Sequence, residues 1–121
     1  MHKTGMKVYL SAPYTSKRTM IRWRVILEAH GHRIVSTWDC RLAARPVDDA
    51  LQDLQEIRNA DIFLLSSFGT SPGGRYVELG YAYAHGKSII LVGPEGKNIF
   101  HMLPGICHAT TLQQAIRWMT E

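Results

Sequence analysis

The sequence predicts an α/β fold, a parallel sheet held between layers of helices. Three observations carry that expectation. Segments that read as strands and as helices alternate about five times along the 121 residues. DIFLLSS (61–67) and SIILVG (88–93) are nearly unbroken apolar runs, as strands covered on both faces should be. Glycines stand where helical patterns stop, at Gly31 and Gly86. Right-handed crossovers between successive strands then favour a parallel sheet with helices on both faces.

The elements follow in order. KVYLS (7–11) is a short apolar-rich strand that ends at Ala12-Pro13. Residues 17–30 place Met20, Ile21, Trp23, Val25, Ile26 and Leu27 among basic residues, an amphipathic helix. RIVST (33–37) reads as the second strand, and 38–46 as a loop containing Trp38, Asp39 and Pro46. In 47–59, Val47, Ala50, Leu51, Leu54 and Ile57 recur at spacings of three and four, a second helix. The third strand is DIFLLSS. A glycine-rich loop, FGTSPGG (68–74), leads into a helix from about 75 to 85, and SIILVG is the fourth strand. Residues 94–105 read as a loop with one helical turn, 106–109 as a short fifth strand and 111–120 as the last helix. At this length the expected form is one domain over residues 1–121, a flavodoxin-like three-layer sandwich with strand order 2-1-3-4-5; order 3-2-1-4-5 is the alternative.

Composition sets bounds on function. Hydrophobic residues make up 45% and charged residues 20%, ordinary for a soluble globular protein. No apolar run approaches the ~20 residues of a membrane span, and the first residues, MHKTGMKVYLSAP, lack a secretory apolar stretch. Cys40 and Cys107 have neither metal-ligand spacing nor a neighbouring partner, so a reduced, cytoplasmic protein without zinc is expected. The six histidines show no HxxxH pairing, and no metal site is expected. The net charge of +4 is spread along the chain, which favours solvated faces or attraction of a small anionic ligand over a nucleic-acid groove.

Sheets of this kind bind ligands at the carboxyl ends of their strands, beside the switch point. That rule brings Ser11 to Tyr14, after the first strand, to the loop from Phe68 to Gly74. FGTSPGG is neither a Walker A loop nor GxGxxG. Its glycines allow either a plain tight turn or close approach of backbone to a ligand. Glu78 follows it, expected in the first helical turn, where the helix dipole favours the ionised form. A glutamate there is either a simple helix stabiliser or, among Val77, Leu79, Tyr81 and Ala82, a partly screened carboxylate fit for nucleophilic attack on a sugar carbon. Asp53 falls at the edge of the second helix's apolar stripe, facing inward or solvated; Asp49 and Glu56 read as solvated. Two carboxylates at one crevice suggest glycosyl chemistry, one attacking the anomeric carbon and one holding or protonating the leaving base. Tyr9, in mid-strand, is a core aromatic or a hydroxyl partner for a carboxylate. Trp38 and Phe68 are core residues or stacking surfaces for a base.

Several segments together resemble the nucleoside 2-deoxyribosyltransferase family, whose superfamily includes the nucleoside 5'-monophosphate N-glycosidases. They are KVYLSAPY, HRIVSTW, DLQEIRNADIFLL, SPGGRYVELGYAYAHGKSIILVGP and NIFHMLP, from about residue 7 to 106. The resemblance implies that Glu78 is the nucleophile, that Tyr9 positions its carboxylate and that Asp53 serves leaving-group activation. It implies that Ser71, Gly73 and Gly74 wrap the sugar or its 5' substituent; beside them, Ser11 after the first strand and the stacking candidates Trp38 and Phe68 are expected at the substrate. Asn98 or His101 would belong to a segment that completes a neighbour's site, in a homodimer or larger homo-oligomer. No cofactor is implied. Arg75, with Lys17 or Arg18, is either an exposed cation or a contact for a 5'-phosphate. The acceptor, a second base or water, stays open. So does a different class, a non-catalytic nucleotide-binding or sensing module on the same scaffold, and a nicotinamide-dinucleotide glycohydrolase is a further enzymatic alternative. A phospho-receiver is disfavoured by Ser11-Ala12-Pro13 and Ser66-Ser67, where its acidic residues would stand.

Overall fold

The computed structural model describes residues 5–42, 45–69, 73–94, 96 and 98–120. Strands β1 (Lys7–Ser11), β2 (Arg33–Ile34), β3 (Ile62–Ser66), β4 (Ser88–Val92) and β5 (Cys107–Ala109) form one sheet. Helices α1 (Lys17–Ala29), α2 (Pro46–Asn59), α3 (Gly74–Ala84) and α4 (Leu112–Thr120) connect or follow them. Every pairing is parallel and the order is β2-β1-β3-β4-β5, so the alternative 3-2-1-4-5 is excluded.

Local chemistry accounts for the helix ends. α2 opens on Pro46, whose missing N–H costs nothing at a helix start; Asp48 and Asp49 follow in the first turn and Arg58 stands in the last. α3 is preceded by Gly73 at φ 116°, a left-handed conformation that a side chain would resist. In α4, Leu112, Ala115, Ile116 and Met119 are buried at spacings of three and four.

The core has two halves, one on each face of the sheet. Val8, Leu10, Leu64 and Val92 pack against Met20, Trp23 and Leu27 of α1 and the apolar face of α4. Tyr9, Phe63, Leu65 and Leu91 pack against Ile57 of α2 and Leu79 and Ala82 of α3. The split follows from strand geometry, since successive side chains point to opposite faces. Each fully buried aliphatic or aromatic side chain contributes roughly 1.5–3 kcal/mol. The same alternation puts Tyr9 and Ser11 of β1 on the face covered by α2 and α3.

β2 is shorter than RIVST predicts. The ladder continues as far as Val35, whose N–H donates to the Val8 carbonyl at 2.9 Å. At Ser36 the side chain takes over: its Oγ accepts the Leu10 N–H at 3.0 Å. The chain then turns, and Trp38 donates its indole N–H to the Leu10 carbonyl at 2.7 Å. Buried Asp39 anchors the turn to Arg24 at 2.7 Å. Trp38 is thereby carried to the carboxyl end of β1. Among the described residues, no helix is long and apolar enough to cross a membrane.

Candidate active site

A pocket opens at the carboxyl end of β1, lined by Ala12, Tyr14, Trp38, Asp53, Gly74, Arg75 and Glu78. Tyr9 donates its hydroxyl to Glu78 Oε2 at 2.7 Å, and Ser11 donates to Oε1 at 2.7 Å. Both distances are those of charge-assisted O–H···O bonds. Residues i and i+2 of one strand thus hold the two oxygens of one carboxylate. Tyr9 is fully buried, with its ring stacked on Phe63 at a centroid distance of 5.7 Å. Burial first, and then the neighbouring carboxylates, raise the pKa of its hydroxyl far above the usual phenol range, which keeps it a donor.

Glu78 departs from expectation in two respects. It is not in the first turn: α3 begins at Gly74, and that turn holds no acidic residue. The dipole acts mainly within the first turn and is weak where Glu78 stands. Nor is the carboxylate held fully ionised. Burial pushes its pKa up to about 7, against the Tyr9 and Ser11 hydrogen bonds, which lower it; the nearby Asp53 charge raises it further. Desolvation therefore outweighs the two donors, and near neutrality the group is divided between acid and carboxylate.

Asp53, on α2, is half-buried and lines the same pocket. Burial raises its pKa, and Arg41 opposes the rise through a hydrogen bond of 2.8 Å. Arg41 has no counterpart in the sequence reading. Its guanidinium bridges Asp53 with Asp49 and Glu56, both at 3.2 Å, and meets Thr37 Oγ1 at 3.1 and 3.2 Å. Glu56, expected in solvent, is 5% exposed and accepts from the Thr37 N–H at 3.0 Å and the Thr37 hydroxyl at 2.6 Å. The segment after β2 covers that side of α2, so the outer edge of its helical wheel is not solvent. Asp49, Asp53 and Glu56 lie at i, i+4 and i+7, one acidic stripe. That stripe was the signal that a cation should cover it.

Arg75 is buried rather than exposed. Its guanidinium donates to the carbonyls of Ser66, Phe68 and Gly69, each at 2.8 Å. These bonds tie the loop after β3 to the start of α3. Gly73 caps α3, and Gly74 lines the pocket. Trp38 lines it too, tilted against Tyr14 at 6.3 Å. Phe68 is not among the lining residues; its ring lies by Gly93, where an added Cβ would come within 2.9 Å of it. Asn98 and His101 do not line the pocket either. Asn98 accepts the Phe100 N–H at 2.8 Å, and buried His101 is 3.0 Å from the Tyr76 hydroxyl while its Nδ1 accepts the Gly96 N–H at 3.3 Å. Ser71 lies outside the described residues. Among the described residues no cluster of side chains suits a metal ion.

Chemically, the arrangement offers a carboxylate with a near-neutral pKa, fixed at both oxygens, a second carboxylate beside it and an indole on one wall. No family model matches the sequence, and no curated protein matches it. Solved structures do. The CMP N-glycosidase BcmB of Clostridium botulinum is 21% identical, with 93% of this chain and 97% of that chain covered and a TM-score of 0.68. A 2-deoxyribosyltransferase of Bacillus psychrosaccharolyticus is 21% identical over 90% and 89% of the two chains, with a TM-score of 0.74. The 2-desoxiribosyltransferase of Leishmania mexicana is 18% identical over 83% and 75%, with a TM-score of 0.63. The five-stranded parallel sandwich of this chain is therefore the fold of these two deoxyribosyltransferases and of this N-glycosidase.

Proposed function

We propose that this protein cleaves the N-glycosidic bond of a 2'-deoxynucleoside or its 5'-monophosphate and passes the sugar to a second base or to water. The observation that carries the reading is the carboxylate of Glu78, gripped by Tyr9 and Ser11 at the pocket shared with Asp53. In its ionised form Glu78 attacks C1' of the sugar. The C1'–N bond breaks, its electron pair goes to the base, and a glycosyl ester forms on Glu78. Asp53 faces the departing base or the sugar hydroxyls and orients them by accepting hydrogen bonds from their N–H or O–H groups. The departed base takes a proton from solvent; the acceptor, a base nitrogen or a water oxygen, then attacks C1', passes its proton to the Asp53 carboxylate or to solvent, and releases the Glu78 carboxylate. Two displacements retain the configuration at C1'. Trp38 and Tyr14 supply the apolar wall against which a base can stack.

Chromatography of deoxynucleosides and their 5'-monophosphates, with and without an added free base, tests the reading. Base exchange marks a transferase and base release alone a hydrolase. Both reactions are expected to vanish in Glu78→Gln. Absence of either reaction across the panel, with nucleotide binding unchanged in Glu78→Gln, would replace the enzyme with a binding module.

A further inference from the structure

We propose that Arg41 is a positioning residue of this site, a cationic clamp that fixes the rotamer of Asp53 and holds it as a carboxylate opposite Glu78. The inference rests on the glycosyl-transfer reading for its kinetic consequence, but its structural content stands without it.

The geometry is that of a hub. One guanidinium reaches three carboxylates of α2, Asp49, Asp53 and Glu56, together with the Asp49 carbonyl at 3.2 Å and the Thr37 hydroxyl. Arg41 stands in the segment between β2 and α2, so it ties the two together across the side of the pocket. Its planar fork suits several acceptors at once, which an ammonium cannot reproduce. Of the three carboxylates only Asp53 also lines the Glu78 pocket. Asp49 is partly exposed, whereas Glu56 is satisfied by Thr37 and by Gln52 at 2.9 Å. The arginine therefore has a catalytic-side partner, Asp53, and two anchors, Asp49 and Glu56. The groups facing Asp53 are Arg41, Glu56, Asp49 and Glu78; those facing Glu78 are Tyr9, Ser11 and Asp53.

Two interacting carboxylates share their protons, and the two steps of their titration belong to the pair. Removing the adjacent cation shifts both steps to higher pH. An aspartate beside an arginine is drawn down by about 1–3 units, so the loss of Arg41 from this partly buried pair, with Asp49 and Glu56 still present, should raise the Asp53 titration by about one unit. The clamp also decides the role of Asp53. Held ionised, it accepts a hydrogen bond from the leaving base or sugar and does not donate a proton.

The test compares wild type, Arg41→Gln and Arg41→Lys in two ways. Side-chain carboxyl 13C resonances are followed against pH in the intact chain, with Asp53→Asn to assign the Asp53 signal. The pH profile of kcat/KM for base release is measured on the same proteins. In Arg41→Gln the Asp53 titration and the acidic limb of the profile should both move up by about one unit. With the limb starting at about 7, activity then falls about ninefold at pH 6 and about twofold at pH 8. Arg41→Lys keeps the charge without the fork and should show a smaller shift; it also serves if the glutamine variant does not fold. A uniform loss at every pH with the Asp53 titration unmoved overturns the inference and leaves Arg41 a structural residue. If wild type releases no base from any substrate yet the Asp53 titration moves, the clamp stands and the glycosyl-transfer reading falls.

Discussion

Replacing Tyr9 with phenylalanine removes one hydroxyl from the candidate site and leaves the ring on Phe63. The hydroxyl donates to Glu78 Oε2 at 2.7 Å, and it is among the groups that hold the Glu78 pKa down against burial. A hydrogen bond to a charged acceptor contributes roughly 1.5–3 kcal/mol. At about 1.36 kcal/mol per pKa unit, its loss raises Glu78 by about one to two units. The protonated acid also binds the hydroxyl, so the lower end applies: Glu78 should move from about 7 to roughly 8. At pH 7 the ionised fraction then falls from about one half to about one tenth. The expected result is a roughly fivefold loss of kcat/KM at pH 7 that is recovered near pH 9, where both proteins are ionised. The assay is the pH profile of base release, with the carboxyl 13C titration of Glu78 as a substrate-independent check. An acidic limb at the same pH in both proteins would refute the reasoning, because the hydroxyl would then not govern the nucleophile's proton.

Other perturbations have defined outcomes. The folded-state pKa of Glu78, about 7, lies above its ordinary 4.5, so folding is favoured below pH 4.5 relative to higher pH and loses that advantage as pH rises through 7. Glu78→Gln should therefore melt higher than wild type at pH 8, by up to about 3 kcal/mol of stability, and gain little at pH 4.5; equal gains at both pH values would contradict this. His32 is 3% exposed with neither ring nitrogen partnered among the described residues, and burial, then His30, lower its pKa. Its depressed folded pKa means stability is present above about pH 6.5 and is lost as pH falls below it, so His32→Leu should remove part of the acid sensitivity seen in melts between pH 8 and 5. Gly93→Ala would set a Cβ 2.5 Å from Ser67 Oγ at φ +125°, and a loss of about 2–4 kcal/mol in denaturant unfolding is expected.

The fold was legible because its signals are coarse and mutually consistent. Unbroken apolar strands at 61–67 and 88–93, amphipathic helices between them and right-handed crossovers leave few arrangements, and of the two strand orders they allow the structure selects 2-1-3-4-5. The residue pattern leaves Tyr9 and Asp53 each with two readings, and it is the family resemblance that joins both to Glu78, where the structure brings them together. What escaped depended on how loops fold over surfaces. Arg41 sits in a loop, where a cation reads as solvated, and only the segment's path across α2 turns it inward. Glu56 looked exposed for the same reason. Arg75 carries no mark in the sequence that its guanidinium will bend back to three carbonyls. The ionisation of Glu78 differs from the sequence expectation because helix position can be read from sequence, whereas the desolvation that outweighs it is a property of the packed site. RIVST kept its extended path only to Val35 because a serine hydroxyl, indistinguishable in a strand pattern, ends the ladder.

The most direct measurement is intact-protein mass spectrometry after rapid acid quench of the protein with a reactive deoxynucleoside or deoxynucleotide. The account predicts a species heavier by one deoxyribosyl group, or by its 5'-phosphate, mapping to the peptide that contains Glu78 and absent from Glu78→Gln. Base release without that species in wild type, or at an undiminished rate in Glu78→Gln, would contradict it.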